Sequence, residues 1–210
     1  MFLEVFLVGI LAAMSPGPDF FVVMRNSLEF GYRVGIATAF GITLALIVHI
    51  TYTILGFAYV MQAYPSLFIS IKILGALYLI WLGYNAIRSA PPKNDEKLKS
   101  EVESVQNNKT LMQGFREGFL CNVLNPKAAL FFLSIFSQFI KRDTTGWTHW
   151  IYGSEIIFAV GGWFVLLAIL ISYSKFRSLY KKYAYWFDRL LGGILIYFAI
   201  RIMVSAVKLV

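Results

Sequence analysis

Apolar residues run in six nearly unbroken stretches: Phe2 to Met24, Ile36 to Met61, Leu67 to Ile87, Gly118 to Ile140, Trp150 to Ser172 and Leu190 to Val207. Each is long enough to cross a hydrocarbon core of about 30 Å as a helix rising about 1.5 Å per residue. None alternates apolar with polar positions as a barrel strand does. A bilayer also offers the backbone no water, so the stretches are predicted to be helices. The predicted fold class is an all-α polytopic membrane protein with six transmembrane helices. The first stretch carries Glu4 where a signal peptide is basic, and Pro16 and Pro18 where a small-residue cleavage site would lie, so it is expected to remain as a span.

Composition agrees with the pattern. Only 14% of residues are charged, against about 25% in an ordinary globular chain, and the mean hydropathy is +0.68, which together exclude a water-soluble domain. The net charge of +8 would suit nucleic acid if the basic residues formed a face. They sit instead in the gaps between apolar runs, so the expected partner is the lipid bilayer, with no nucleic acid.

Where the basic residues fall predicts orientation, because loops rich in them stay in the cytoplasm. Arg25, Arg33, Arg88, Lys93, Lys97, Lys99, Lys109, Arg116, Lys175, Arg177, Lys181, Lys182 and Arg189 share one side, while Lys72, Lys141, Arg142 and Lys208 lie on the other. Both termini are therefore expected outside. Arg201 interrupts the last stretch, and if that helix failed to cross, the C-terminus would move inside. Residues 1–90 form a first three-helix half, 91–113 a polar cytoplasmic linker and 114–210 a second half. Lys175 to Asp188, basic and aromatic, is expected to lie on the inner leaflet as an amphipathic anchor.

With three spans on each side of the linker, any kinship between the halves places them in opposite orientations. Pro16 and Pro126 lie at similar distances into each half, and Leu74-Gly75-Ala76 echoes Leu191-Gly192-Gly193. Hydrophobic segments interrupted at matching positions of two halves point to a transporter binding site. In Ser15-Pro16-Gly17-Pro18-Asp19 and in Asn122-Val123-Leu124-Asn125-Pro126-Lys127 the prolines break the backbone ladder. A membrane tolerates the freed groups only where protein, water or ligand meets them. Ser15, Pro16, Gly17, Pro18, Asp19, Asn122, Asn125, Pro126 and Lys127 are thus the candidate substrate-binding residues. Asp19 and Lys127 carry opposite charges: they either neutralise one another or receive the ammonium and carboxylate of an amino acid.

Three groups are candidates for carrying a proton. Asp19 comes first, since burial and a nearby lysine tune a carboxyl in opposite directions. Glu155 is second; it otherwise snorkels or pairs with a base such as Arg201. His49 titrates near neutrality when unperturbed, or else hydrogen-bonds a neighbouring helix. Gly41, Gly75, Gly83, Gly161, Gly162, Gly192 and Gly193 are expected to allow close helix approach. His49 and His149 are the only histidines, and no metal-ligand cluster, activated serine or phosphate loop is present, so neither a metal site, a cofactor nor an enzyme is expected. Cys121, the single cysteine, excludes a paired-thiol electron carrier.

The chain resembles the lysine exporter family of bacterial amino-acid efflux proteins, and within it the homoserine and threonine resistance branch. The resemblance runs through nearly the whole length and is carried by Ser15-Pro16-Gly17-Pro18-Asp19, Gly31-Tyr32-Arg33-Val34-Gly35, Lys72 to Leu79 with Leu82-Gly83, and Gly118 to Lys127. It implies six helices in two inverted halves with broken first and fourth helices, a place in the bacterial inner membrane, and export of amino acids by proton antiport. Asp19 and Lys127, where basic-amino-acid exporters tend to carry other residues, imply a neutral or small polar substrate such as threonine, homoserine or leucine. Ala45 departs from the family's glycine. A second copy of the chain is a candidate partner. A transporter of metal or inorganic ions on a related fold is the alternative, although such proteins are richer in intramembrane carboxylates and histidines.

Overall fold

The computed structural model describes residues 2–89, 109–139 and 146–207. Most of the predicted linker, together with Lys141, Arg142 and Lys208, lies outside these residues. The described residues form an all-α, multi-pass membrane protein. In chain order the helices are α1 (Phe2–Met14), α2 (Pro18–Phe30), α3 (Tyr32–Ala63), α4 (Pro65–Ile87), α5 (Leu111–Val123), α6 (Pro126–Phe139), α7 (Gly146–Leu170) and α8 (Ser174–Val207). Four of them, α3, α4, α7 and α8, are long and apolar enough to span alone. The pairs α1–α2 and α5–α6 are bent by 58° and 57° and bring the spans to six when each counts as one.

The bends fall where the prolines lie. Pro18 occupies the first turn of α2 after Gly17, and Pro126 opens α6, both places where a missing N–H costs a helix nothing. Gly31, at φ 89°, turns the chain from α2 into α3, a backbone conformation that a side chain resists. Thr110 starts α5 with a reciprocal cap: the Gln113 amide donates to its hydroxyl, and its own amide donates to the Gln113 side chain.

Helices approach closely where glycine removes the side chain. A Cβ on Gly41 of α3 would lie 2.0 Å from the Phe115 carbonyl oxygen of α5, and one on Gly118 would lie 2.1 Å from that of Thr38. Gly83 and Gly192 approach each other's carbonyls in the same way between α4 and α8. Gly162 and Gly193 depart from the expectation: nothing lies within 4 Å of a Cβ at either. At one end of the molecule α2, α3 and α5 are tied by polar contacts. Glu117 pairs with Arg25 and, at 2.5 Å, with Lys109, while Asn26 donates to Thr38 at 2.8 Å and to Glu117 at 2.9 Å.

The stretch from Lys175 to Asp188 is not a separate surface anchor. It is the first part of α8, continuous with the last apolar run because no proline or glycine interrupts Ser174 to Leu191. At 34 residues, α8 is about 50 Å long and overreaches a bilayer core. Tyr180, Ala184 and Asp188 face inward and are buried. Arg201 does not break the helix; its guanidinium reaches sideways to within 3.5 Å of the Glu4 carboxylate.

Candidate functional site

Both breaks open onto one cavity. Ser15, Gly17, Pro18 and Asp19 line it from the first, and Asn122, Asn125 and Lys127 from the second, while Leu46, Leu82, Phe131, Phe132, Phe164 and Leu191 supply an apolar wall. Pro16 and Pro126 bend the chain without lining the space. Asp19 and Lys127, 108 positions apart in sequence, thus belong to one site.

The polar pole is half satisfied. Asp19 Oδ2 accepts hydrogen bonds from the side-chain amides of Asn122 at 3.0 Å and Asn125 at 3.2 Å. Its other oxygen, Oδ1, is buried without a hydrogen bond among the described residues, as is Asn122 Oδ1, although the Cys121 thiol lies beside the carboxyl. Asn125 also accepts from the Lys127 backbone amide at 3.0 Å, capping the first turn of α6. The Lys127 ammonium lies 3.6 Å from the place a Cβ would take on Gly17. The charges acting on it are the carboxylates of Asp188 and Asp19, neither of which forms an ion pair with it within 4.0 Å among the described residues. Buried polar atoms left open cost a fold stability unless a ligand or water meets them.

The backbone groups freed at the breaks find donors from elsewhere in the chain. Trp163 of α7 donates its indole N–H to the Ala13 carbonyl at 3.1 Å, and Tyr180 of α8 donates its hydroxyl to the Met14 carbonyl at 2.6 Å. Burial first, and then the Asp188 carboxylate, push the Tyr180 phenol above its ordinary pKa, which keeps it a donor. At the second break His49 Nε2 lies 3.0 Å from the Asn122 carbonyl, and its Nδ1 lies 2.7 Å from the Tyr52 hydroxyl. A carbonyl only accepts, so Nε2 carries a proton, and in the neutral ring Tyr52 then donates to Nδ1.

Glu155 is not brought to this site. It lies on α7, does not line the cavity, and has a buried, unpartnered Oε2; Arg201 reaches Glu4 instead. Among the described residues no three His, Cys, Asp or Glu side chains gather as a metal-binding group. Three residues at the site escaped the sequence reading. Trp163 and Tyr180 resemble any other membrane aromatic, but Asp188 carried a signal, since an acid next to a membrane run is costly unless it is held. Its Oδ1 accepts from Ser15 at 2.6 Å and its Oδ2 from Ser89 at 2.8 Å.

Comparison with known proteins agrees with this architecture. The family model of the LysE type translocator matches residues 10–206. The chain is 32% identical to the threonine efflux protein of Salmonella typhi over 206 residues, and 32% identical to that of Escherichia coli strain K12 over 205, with 98% of each chain covered in both cases. An uncharacterized membrane protein of Haemophilus influenzae is 28% identical over 199 residues, which cover 94% of this chain and 93% of that one. No solved structure matches. A family model that spans the chain from the first helix to the last, together with relatives similar over almost its whole length, places this protein in the LysE type translocator family.

Proposed function

We propose that this protein exports neutral or small polar amino acids, or close derivatives, from the bacterial cytoplasm in exchange for protons. The observation that carries this reading is the complementarity of the cavity to a zwitterion. Two buried, unpartnered acceptor oxygens, Asp19 Oδ1 and Asn122 Oδ1, suit an ammonium group. The unpaired Lys127 ammonium on the same cavity suits a carboxylate. The helix N-terminus at Pro126 adds to the attraction for an anion. Beyond these poles the wall is apolar, so a side chain carrying its own charge finds no counter-charge there, and a neutral one loses nothing. The threonine efflux proteins similar to this chain support amino-acid export as the activity.

In this reading the two halves, 1–90 and 114–210, are inverted repeats that rock around the fixed site, with both termini outside and the basic loops in the cytoplasm. The site opens alternately to either side.

The test is efflux from cells or vesicles preloaded with labelled threonine, homoserine, leucine, lysine and glutamate, comparing the native chain with Lys127→Ala. Native protein should lower the retention of some of the neutral three, under a proton gradient, and Lys127→Ala should cut that efflux by about tenfold or more, a loss of about 1.4 kcal/mol of binding. Equal retention of every amino acid with and without the native chain would end the reading.

A further inference from the structure

We infer that Asp188, on α8, is the group that takes up the exchanged proton, while Asp19 is reserved for the substrate ammonium. The inference rests on the export reading above and divides the two tasks that the sequence alone put on Asp19.

The hydrogen-bond partners of the two carboxylates differ in kind. Asp19 Oδ2 is held by two side-chain amides, which can only donate there, so a proton on that oxygen would set donors against one another, and a proton on the open Oδ1 would take the acceptor that the substrate ammonium needs. Asp188 is held by two serine hydroxyls, Ser15 on Oδ1 and Ser89 on Oδ2. A hydroxyl donates to a carboxylate and accepts from a carboxylic acid, so rotation of either serine satisfies both states of Asp188. Its position also fits. Ser15 lines the cavity at the first break, and Ser89 follows α4 where the chain enters the linker, so Asp188 bridges the substrate space and one end of the molecule.

Charge gives the second argument. Asp19 and Asp188 contribute two negative charges and Lys127 one positive, so the emptied site returns with a net negative charge that a low-dielectric interior disfavours. One proton on Asp188 cancels it. The other ionisable groups on the elements around Asp188 are already engaged. Tyr180 donates to Met14, Arg189 Nε donates to the Ser89 carbonyl at 3.3 Å, and Arg88 of the α4 end reaches the Tyr84 hydroxyl. Lys127 remains as the facing cation. In the exchange a proton from outer water adds to an Asp188 oxygen of the emptied site to give the neutral acid, and leaves to cytoplasmic water, restoring the carboxylate, before the next zwitterion is carried out. One positive charge thus enters for each zwitterion that leaves. Loss of the charge-assisted Ser15 bond on protonation loosens the first break, which ties proton uptake to the substrate site.

Purified protein in liposomes, assayed with labelled threonine, homoserine and leucine, tests this in two ways: exchange of labelled for unlabelled substrate at equal pH, and net transport driven by a pH difference. Asp188→Asn should lose pH-driven transport by about tenfold or more and lower exchange by a clearly smaller factor, whereas Asp19→Asn should lose both alike. Asp188→Asn that still follows the pH difference, or that loses exchange and drive alike while folded, overturns the inference. If Asp188→Asn does not fold, Ser89→Ala takes its place: pH-driven transport should slow by about threefold or more with exchange kept, and an unchanged drive is the contrary result. Native protein that exchanges none of the three overturns the export reading, and this inference falls with it.

Discussion

His49 Nε2 lies 3.0 Å from the backbone oxygen of Asn122, so a histidine in α3 adds a second donor to a carbonyl at the second break that also accepts from the Asn125 amide. Trp163 donates to the Ala13 carbonyl at the first break. Each broken span therefore receives a ring N–H from the long helix that follows the other break, which helps a bent helix persist in a membrane.

His49→Phe should remove the donor while filling the space. Asn122 O keeps its bond from the Asn125 amide at 2.9 Å, so the cost should stay near the lower end for a lost buried partner, about 1 kcal/mol. It would appear as a lower unfolding midpoint in detergent. His49→Gln can still donate and should recover part of the loss along with pH-driven export. If His49→Gln instead kept full stability and lost all pH dependence, the histidine would be a proton carrier rather than a cap.

Asp19→Asn should leave the fold intact and abolish binding. The new amide can turn its oxygen toward Asn122 and Asn125, taking over from Oδ2, and this places its NH2 where the open Oδ1 acceptor stood. A substrate ammonium then meets a donor. Removing one partner of such a charge pair costs about 2–5 kcal/mol, so binding measured by ligand-dependent thermal protection should weaken by about a hundredfold with the unliganded midpoint nearly unchanged. Collapse of that midpoint would assign Asp19 a structural role.

Gly41→Ala and Gly118→Ala should force α3 and α5 apart, because the added carbon meets backbone rather than a flexible side chain. Overpacking of this kind costs about 1–3 kcal/mol. Gly162→Ala, into open space, should cost nothing and could add stability through helix propensity. Yields of monodisperse protein and unfolding midpoints for the three variants provide the comparison, and equal behaviour would refute the packing argument.

Much of the fold was legible in the chain itself. Hydropathy and proline act locally: a run of apolar residues must be a helix in lipid wherever it lies, and Pro18 and Pro126 break the ladder regardless of neighbours. The anchor expected at Lys175 to Asp188 failed for a related reason. Its charges and aromatics fit a membrane surface, but an uninterrupted helix had no point at which to turn, and only packing revealed that Tyr180 and Asp188 face inward.

By itself, then, the sequence determined the spans, the two breaks and the ionisable residues beside them, since each follows from the chemistry of a few adjacent residues. Tertiary structure alone decided which of those residues meet. Asp19 finds Asn122 across 103 positions, Ser15 finds Asp188 across 173, and His49 finds the Asn122 carbonyl across 73. Such meetings depend on how each helix is rotated and how closely it approaches its neighbour. In segments that are apolar on nearly every face, no pattern along the chain encodes either quantity; the glycines at which backbones touch and the polar atoms that must find partners set both.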